Sequence, residues 1–289
     1  MKKTLIILSA IIALVSCTEQ MNIDTQDGER LVGISASITD EYKKHEVILS
    51  YTESFYGGNP EMISNAIVYV IDNADTIWFE ESENHGYYLS VNEFAGQTEH
   101  TYHLSVTTTD ENGDHHFYAD SKMNENVECI DSIRVKQWTY NALESKHRLG
   151  VYPYFQTTGD PNTYYMARVE INGDIVGGDT LTKCELFEMY GLAGLYFNGA
   201  FMVSIVGEFP IYGLDQRDSL QVVHRGDTVT LDLWSIPGDY AHYIFEIASS
   251  SGTNPMMGTP SNVHTNIYPE GTAVGCFHAS SLRQCSVIY

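Results

Sequence analysis

From Leu31 onward, apolar and polar residues alternate in one short run after another, and turn-forming residues separate the runs. A period of two sends successive side chains to opposite faces of a strand. A chain written this way must cover one face of each strand with a second layer. Leu31–Thr39 and Glu46–Thr52 alternate, and Asn65–Ile71 and Thr76–Glu80 flank the turn-like Asp72-Asn73-Ala74-Asp75. Gly86–Val91 and Thr101–Thr109 follow, and His115–Asp120 returns after Asn112-Gly113, a pair suited to a tight hairpin. The pattern predicts an immunoglobulin-like β-sandwich over residues 31–125. Val47, Leu49, Ile67, Tyr69, Leu104 and Val106 are expected on its buried face.

A second β-rich domain, residues 126–289, is expected to carry one or two short helices. Ser132–Tyr140, Arg148–Thr157, Tyr164–Ile171 and Thr228–Ser235 read as strands, and Ala273–Ala279 and Ser286–Tyr289 as closing strands. Residues 183–190 have the spacing of a short helix stopped by Gly191. Ile236–Ala248 has a stronger helical period, with Pro237 in the first turn and Tyr240, Tyr243, Ile244 and Ile247 on one face. The fold class expected is therefore mainly β, in two units.

The leader has a different composition. Lys2 and Lys3 precede an apolar stretch, Leu5–Val15, that ends in Leu14-Val15-Ser16-Cys17. That stretch is shorter than the roughly 20 residues a membrane-spanning helix needs. It reads as a signal peptide over residues 1–16, with Cys17 in the position of a lipobox cysteine; the plainer alternative is an ordinary signal with a chance Cys at its end. Each buried acyl methylene contributes about 0.8 kcal/mol, so two or three chains on Cys17 would hold the protein firmly to a bilayer. Residues 17–30 are then a lipidated Cys and a polar, acidic tether.

Four other cysteines remain, Cys129, Cys184, Cys276 and Cys285. An even count in an exported chain suggests disulfides, with three connectivities open; Cys276–Cys285 closing a C-terminal hairpin and Cys129–Cys184 is the favoured set, against four free thiols. No CxxC spacing occurs that would suggest a zinc ribbon.

The order of segments resembles the domain of unknown function 4249 family of Bacteroidota lipoproteins. The matching pieces include Cys17, Leu31-Val32-Gly33 to Ile38-Thr39-Asp40, Ala66-Ile67-Val68, Gly86-Tyr87-Tyr88, Thr101-Tyr102-His103-Leu104 and Ile130-Asp131-Ser132-Ile133. Asp160-Pro161 with Tyr164-Tyr165, the helix around Tyr240–Phe245, Asn262-Val263 to Asn266-Ile267 and Gly275-Cys276-Phe277 complete the set. The acidic tether is similar to the export signal that sends such lipoproteins to the cell surface. The resemblance implies an outer-membrane protein, often encoded beside TonB-dependent transporters, with no known reaction, ligand or catalytic residue. Cys276 departs from it, standing where an aromatic residue is expected.

Charge and motifs narrow the function classes. Fifteen Lys and Arg stand against 38 Asp and Glu, a net charge of −23. No nucleic-acid partner is expected, because phosphate binding needs a basic face. The acidic surface keeps the chain soluble and repels anionic glycolipid but selects no ligand. Asp110-Glu111-Asn112-Gly113-Asp114 spaces oxygens like half a calcium loop, yet His115 stands where the central Gly belongs. His115-His116 point to opposite faces of a strand and do not chelate together. No metal, cofactor or catalytic residue is therefore expected, and no Gly-x-Ser-x-Gly elbow is present. Tyr190, Tyr196, Phe197, Phe201, Phe209 and Tyr212 crowd a Gly-rich stretch and form either a core or a partner-contacting surface. The leading expectation is a non-enzymatic, outer-membrane, surface-displayed lipoprotein that assists a TonB-dependent nutrient transporter through its second unit. An adhesive or structural surface protein binding host or matrix is the alternative, and an unrecognised hydrolase the third.

Overall fold

The computed structural model describes residues 30–53, 59–126, 128–138, 147–155, 164–176, 185–188, 195–196, 211–251 and 263–289. The first unit contains β1 (Val32–Thr39), β2 (Glu46–Tyr51), β3 (Ile67–Asp72), β4 (Asp75–Glu81), β5 (Tyr87–Ser90), β6 (Thr101–Asp110) and β7 (Gly113–Lys122). Then come β8 (Ser132–Gln137), β9 (Arg148–Tyr154), β10 (Tyr164–Ile171), β11 (Asp174–Ile175), β12 (Glu185–Glu188), β13 (Leu195–Tyr196), β14 (Tyr212–Asp215) and β15 (Thr228–Ile236). Helix α1 (Gly238–Ser251), β16 (Ile267–Tyr268) and β17 (Ala273–Ile288) follow.

One long sheet runs β13-β12-β10-β15-β17-β1-β2-β5-β4-β3-β6-β7-β16, with β11 beside β10, and a smaller one runs β14-β9-β8. In the first unit the long sheet rolls over on itself. Its two lips are bridged by Asn266, which donates to the Phe277 carbonyl at 2.7 Å and the Asp120 carbonyl at 3.3 Å and accepts from the Phe277 amide at 3.0 Å. The amide of Ala279 reaches Ser121 Oγ at 2.8 Å across the same seam. Inside lie Ile34, Ile38, Val47, Leu49, Leu104, Val106, Tyr102 and Phe277. The alternation of β1, β2 and β6 is thus spent on one face, as expected from the sequence.

The second unit stacks β14-β9-β8 over β10, β15 and the far half of β17, enclosing Ile133, Val151, Tyr165, Val169, Leu214, Leu231 and Leu233. Helix α1 covers the other face of the long sheet with Tyr240, Ala241 and Ile244, against Met166, Trp234 and Cys276. Asp239 in its first turn complements the helix dipole.

Four expectations are corrected. Ala273–Ala279 and Ser286–Tyr289 are not separate strands: one strand, β17, runs from Ala273 to Ile288. It pairs in parallel with β1 from Ala273 to Ser280 and antiparallel with β15 from Ser281 to Ile288. Glu185–Glu188, expected in a helix, pair antiparallel with β10. A helix of about two turns has too few hydrogen bonds to hold by itself, and the open edge of β10 offers a ladder. In β3 the parity is the reverse of that expected: Val68 and Val70 are buried, while Ile67 is 55% exposed and Tyr69 is half-buried. Cys276 and Cys285 close no hairpin. They stand on opposite faces of one strand, roughly 30 Å apart along the chain at ~3.3 Å per residue. A disulfide needs its Cα atoms within about 7 Å, and both thiols are free, as is that of Cys129.

Candidate functional site: an aromatic row on the outer face of the first sandwich

The reversed parity of β3 creates the most distinctive surface among the described residues. Because Tyr69 faces outward, it aligns with Trp78 on β4 and with Ser105 on β6. Ser105 is opposite Tyr118 on β7, and Tyr118 is opposite Tyr268 on β16. Trp78, Tyr69, Ser105, Tyr118 and Tyr268 therefore form one row across five neighbouring strands. Trp78 is 52%, Tyr118 56% and Tyr268 48% exposed. Tyr69 and Trp78 tilt together at 5.1 Å, and Tyr118 and Tyr268 stack at 5.6 Å. Ser105 between the pairs carries almost no side chain. The two pairs are separated by two strand spacings, about 10 Å.

Polar pairs border the row. On one side Thr107 Oγ1 and His116 Nδ1 lie 2.9 Å apart; on the other His103 Nδ1 and Asp120 Oδ1 lie 2.6 Å apart. Each is a cross-strand partnership set by the β6–β7 register. The hairpin tip beyond them has its own chemistry: Asp110 accepts from His115 Nε2 at 3.0 Å and the Asn112 amide at 2.7 Å. The His115 hydrogen bond, then the Asn112 amide, hold the Asp110 carboxyl below its ordinary range. The half calcium loop is thus a self-satisfied turn with Gly113 at φ 116°. Among the described residues no three His, Cys, Asp or Glu side chains converge as a metal site.

The ionisable groups of the interior are tied to the scaffold. Asp232, buried, accepts from Arg168 at 2.9 Å and Gln284 at 2.7 Å. Glu170, also beside Arg168, is raised by burial and then by Asp232. His45 lies against Phe94 and contacts its carbonyl at 3.0 Å; burial lowers its pKa. Glu81 gathers the amides of Asn65 and Gly86, each at 3.0 Å, and the Ser64 and His85 side chains. Burial opposes its charge, yet these donors prevail and bring it down to about 2. An open groove of about 420 Å³ between β1, β2 and α1 is lined by small residues such as Gly33, Ser35 and Ser50, with Tyr243 on its rim.

The expected site residues fare unevenly. Cys17, Cys184, Tyr190, Phe197, Phe201 and Phe209 lie outside the described residues. Tyr196 is on β13 opposite Phe187. Tyr212 is not part of a contact surface: it is 7% exposed in the second core, because β14 turns Tyr212 and Leu214 inward beneath β9. Sequence reading missed the aromatic row. Its one local sign was Tyr118, set at the parity of the polar His116 and Asp120.

The chain matches the family described as Domain of unknown function (DUF4249) over residues 18–285. It belongs to that family. No curated protein matches it. Among solved structures, the FN1-FN3 domains of chicken CNTN1 align at 10% identity and a TM-score of 0.28, covering 71% of this chain and 60% of that one. A Ca2+-stabilized adhesin that helps an Antarctic bacterium bind ice aligns at 18% identity and a TM-score of 0.21, over 75% of this chain and 47% of that one. A 1.5-MDa bacterial ice-binding adhesin aligns at 11% identity and a TM-score of 0.24, over 91% and 66%. The DUF4249 chain thus spans less than two thirds of these structures.

Proposed function

We propose that this DUF4249 protein is a non-enzymatic recognition protein of the outer membrane, held by acyl chains on Cys17, that presents its aromatic row to a TonB-dependent nutrient transporter. The observation that carries the reading is the row itself: Trp78, Tyr118 and Tyr268 each leave about half their surface in water. Rings of this kind bury large area at small entropic cost, and Trp and Tyr dominate the energetics of protein contacts. The row sits on five hydrogen-bonded strands, so it is pre-organised. The lipobox sequence at Cys17 supports attachment. The contact surface moves from the second unit, where sequence reading put it, to the first.

Detergent extraction of outer membranes followed by affinity capture tests the proposal. The expected result is co-purification of one transporter with the wild-type protein and its loss from a Trp78→Ala/Tyr118→Ala variant that retains its circular dichroism. Recovery of the wild-type protein always alone would overturn it. Release of a Cys17→Ala form into the soluble fraction is expected in the same experiment, and retention of that form in the envelope would remove the anchor from the account.

A further inference from the structure

The segment joining the two units runs alongside β17. Ser281 Oγ donates to the Asn124 carbonyl at 3.1 Å, and Asn126 Nδ2 donates to the Ser281 carbonyl at 2.7 Å and the Leu233 carbonyl at 3.1 Å. Two residues further on in both segments, Arg283 Nε donates to the Glu128 carbonyl at 3.3 Å. Segment and strand therefore advance in step. Residues 281, 283 and 285 share a face of the strand, so the next side chain on that face is Cys285; it comes level with Ile130, and Cys129 directly precedes Ile130 in the segment. Ile130 and Cys285 pack into the same core. Cys129 is exposed and Cys285 half-buried. A hydrogen bond to Asp131 at 3.5 Å is the main influence raising the Cys129 thiol, but Cys285 adds to it electrostatically, which places the two sulfurs in each other's field. Cys276 points to the other face, where burial beside α1 raises its thiol to about 12.

We propose that Cys129 and Cys285 are a disulfide-forming pair that fastens the inter-unit segment to the last strand. Two S–H bonds are lost and one Sγ–Sγ bond forms. The two protons and two electrons pass to a disulfide-bearing oxidant, which leaves as its dithiol. Formation in the cell rests on the export of the chain, since cytosolic thiols stay reduced. The bond would close a loop holding nearly all of the second unit, with the longest constraint on the unfolded chain of any pairing open to Cys285.

Peptide mapping without reductant tests the pair on full-length protein from envelopes in two portions, one with thiols blocked at lysis and one treated with oxidised glutathione before its thiols are blocked. A Cys129–Cys285 peptide in both samples, with Cys276 alkylated only after denaturation, is the expected result. The linked peptide in the glutathione sample alone would uphold the pair and count against export. Free Cys129 and Cys285 in both samples, or a link from either to Cys184, would overturn the proposal. Reduction is expected to lower the denaturation midpoint of the wild type and leave Cys285→Ser unmoved; equal shifts would also count against it.

Discussion

Ala273–Ser280 and Ser281–Ile288 are one strand in two environments. The first half pairs in parallel with β1, has the first core on one face and, around Cys276, α1 on the other. Ala273, Cys276, Phe277, Ala279 and Ser280 are all buried. The second half pairs antiparallel with β15; on its even-numbered face Leu282 still packs against the helix-side cluster, but beyond it Gln284, Ser286 and Ile288 look outward. Parallel strands are at home between two layers, whereas antiparallel ones tolerate a wet face. The sequence follows that rule within a single strand: small and apolar residues give way at Ser280-Ser281 to polar alternation. A strand shared in this way couples the units, since the long sheet passes from one to the other through it.

Substitutions should separate the halves. Gly275, with φ 105°, is backed so closely by β1 that an added Cβ would meet the Ile34 carbonyl oxygen at 2.0 Å. Gly275→Ala is expected to cost about 4 kcal/mol or more, read by urea unfolding, because backbone must move and the left-handed φ is strained as well. Gly226→Ala, also at positive φ but facing open space, should cost only about 1 kcal/mol. Equal costs would mean that the β1–β17 contact is looser than described.

In the second half Gln284 helps hold Asp232, whose main partner is Arg168. Arg168→Ala leaves a buried carboxylate without its cation, and about 3 kcal/mol of stability is expected to go. Replacing both Arg168 and Asp232 by apolar residues should restore much of it, measured by the same unfolding midpoint.

His278 probes the helix-covered face of the first half. It stacks on Tyr240 at 3.6 Å, and its Nδ1 is enclosed without a hydrogen-bond partner. Burial brings its pKa from 6.5 down to about 3. The folded protein therefore keeps His278 neutral where the unfolded chain already binds a proton. Stability should be whole above pH 6.5 and fall as pH drops towards 3. At about 1.4 kcal/mol per pH unit, some 2 kcal/mol is expected to be lost by about pH 5. His45, also lowered by burial, adds to the slope. The diagnostic is the difference between wild type and His278→Gln, whose pH dependence should be shallower.

These contrasts also mark how much the sequence disclosed. β1, β2, β6, β7 and α1 were legible because each has one apolar face and a turn or cap at its ends. β3 was not, since Ile67-Val68-Tyr69-Val70-Ile71 is apolar at both parities and period two cannot choose. The β12 segment carried a helical spacing that only the edge of β10 could overrule. The C-terminal cysteines suggested a hairpin because nothing local reveals that one continuous strand runs through both units. The aromatic row was invisible for a related reason. Its members come from five strands and meet only through register, and its key residue lies on the strand whose parity was ambiguous.

The smallest expected effect on stability, and the largest on function, belongs to that row. Trp78 and Phe79 are neighbours on β4, one 52% and the other 5% exposed. Phe79→Ala empties part of the first core and should cost about 3 kcal/mol. Trp78→Ala removes only the tilted contact with Tyr69, and about 0.5 kcal/mol is expected. Partner capture should rank them the other way. A central aromatic anchor is worth about 2 kcal/mol or more, so Trp78→Ala should weaken retention of the transporter at least tenfold, while residual folded Phe79→Ala retains it. If Trp78→Ala unfolds the protein instead, β4 faces the other way and the row does not exist. If it leaves both stability and capture unchanged, the rings are merely tolerated in water, and the contact surface must be sought on the second unit.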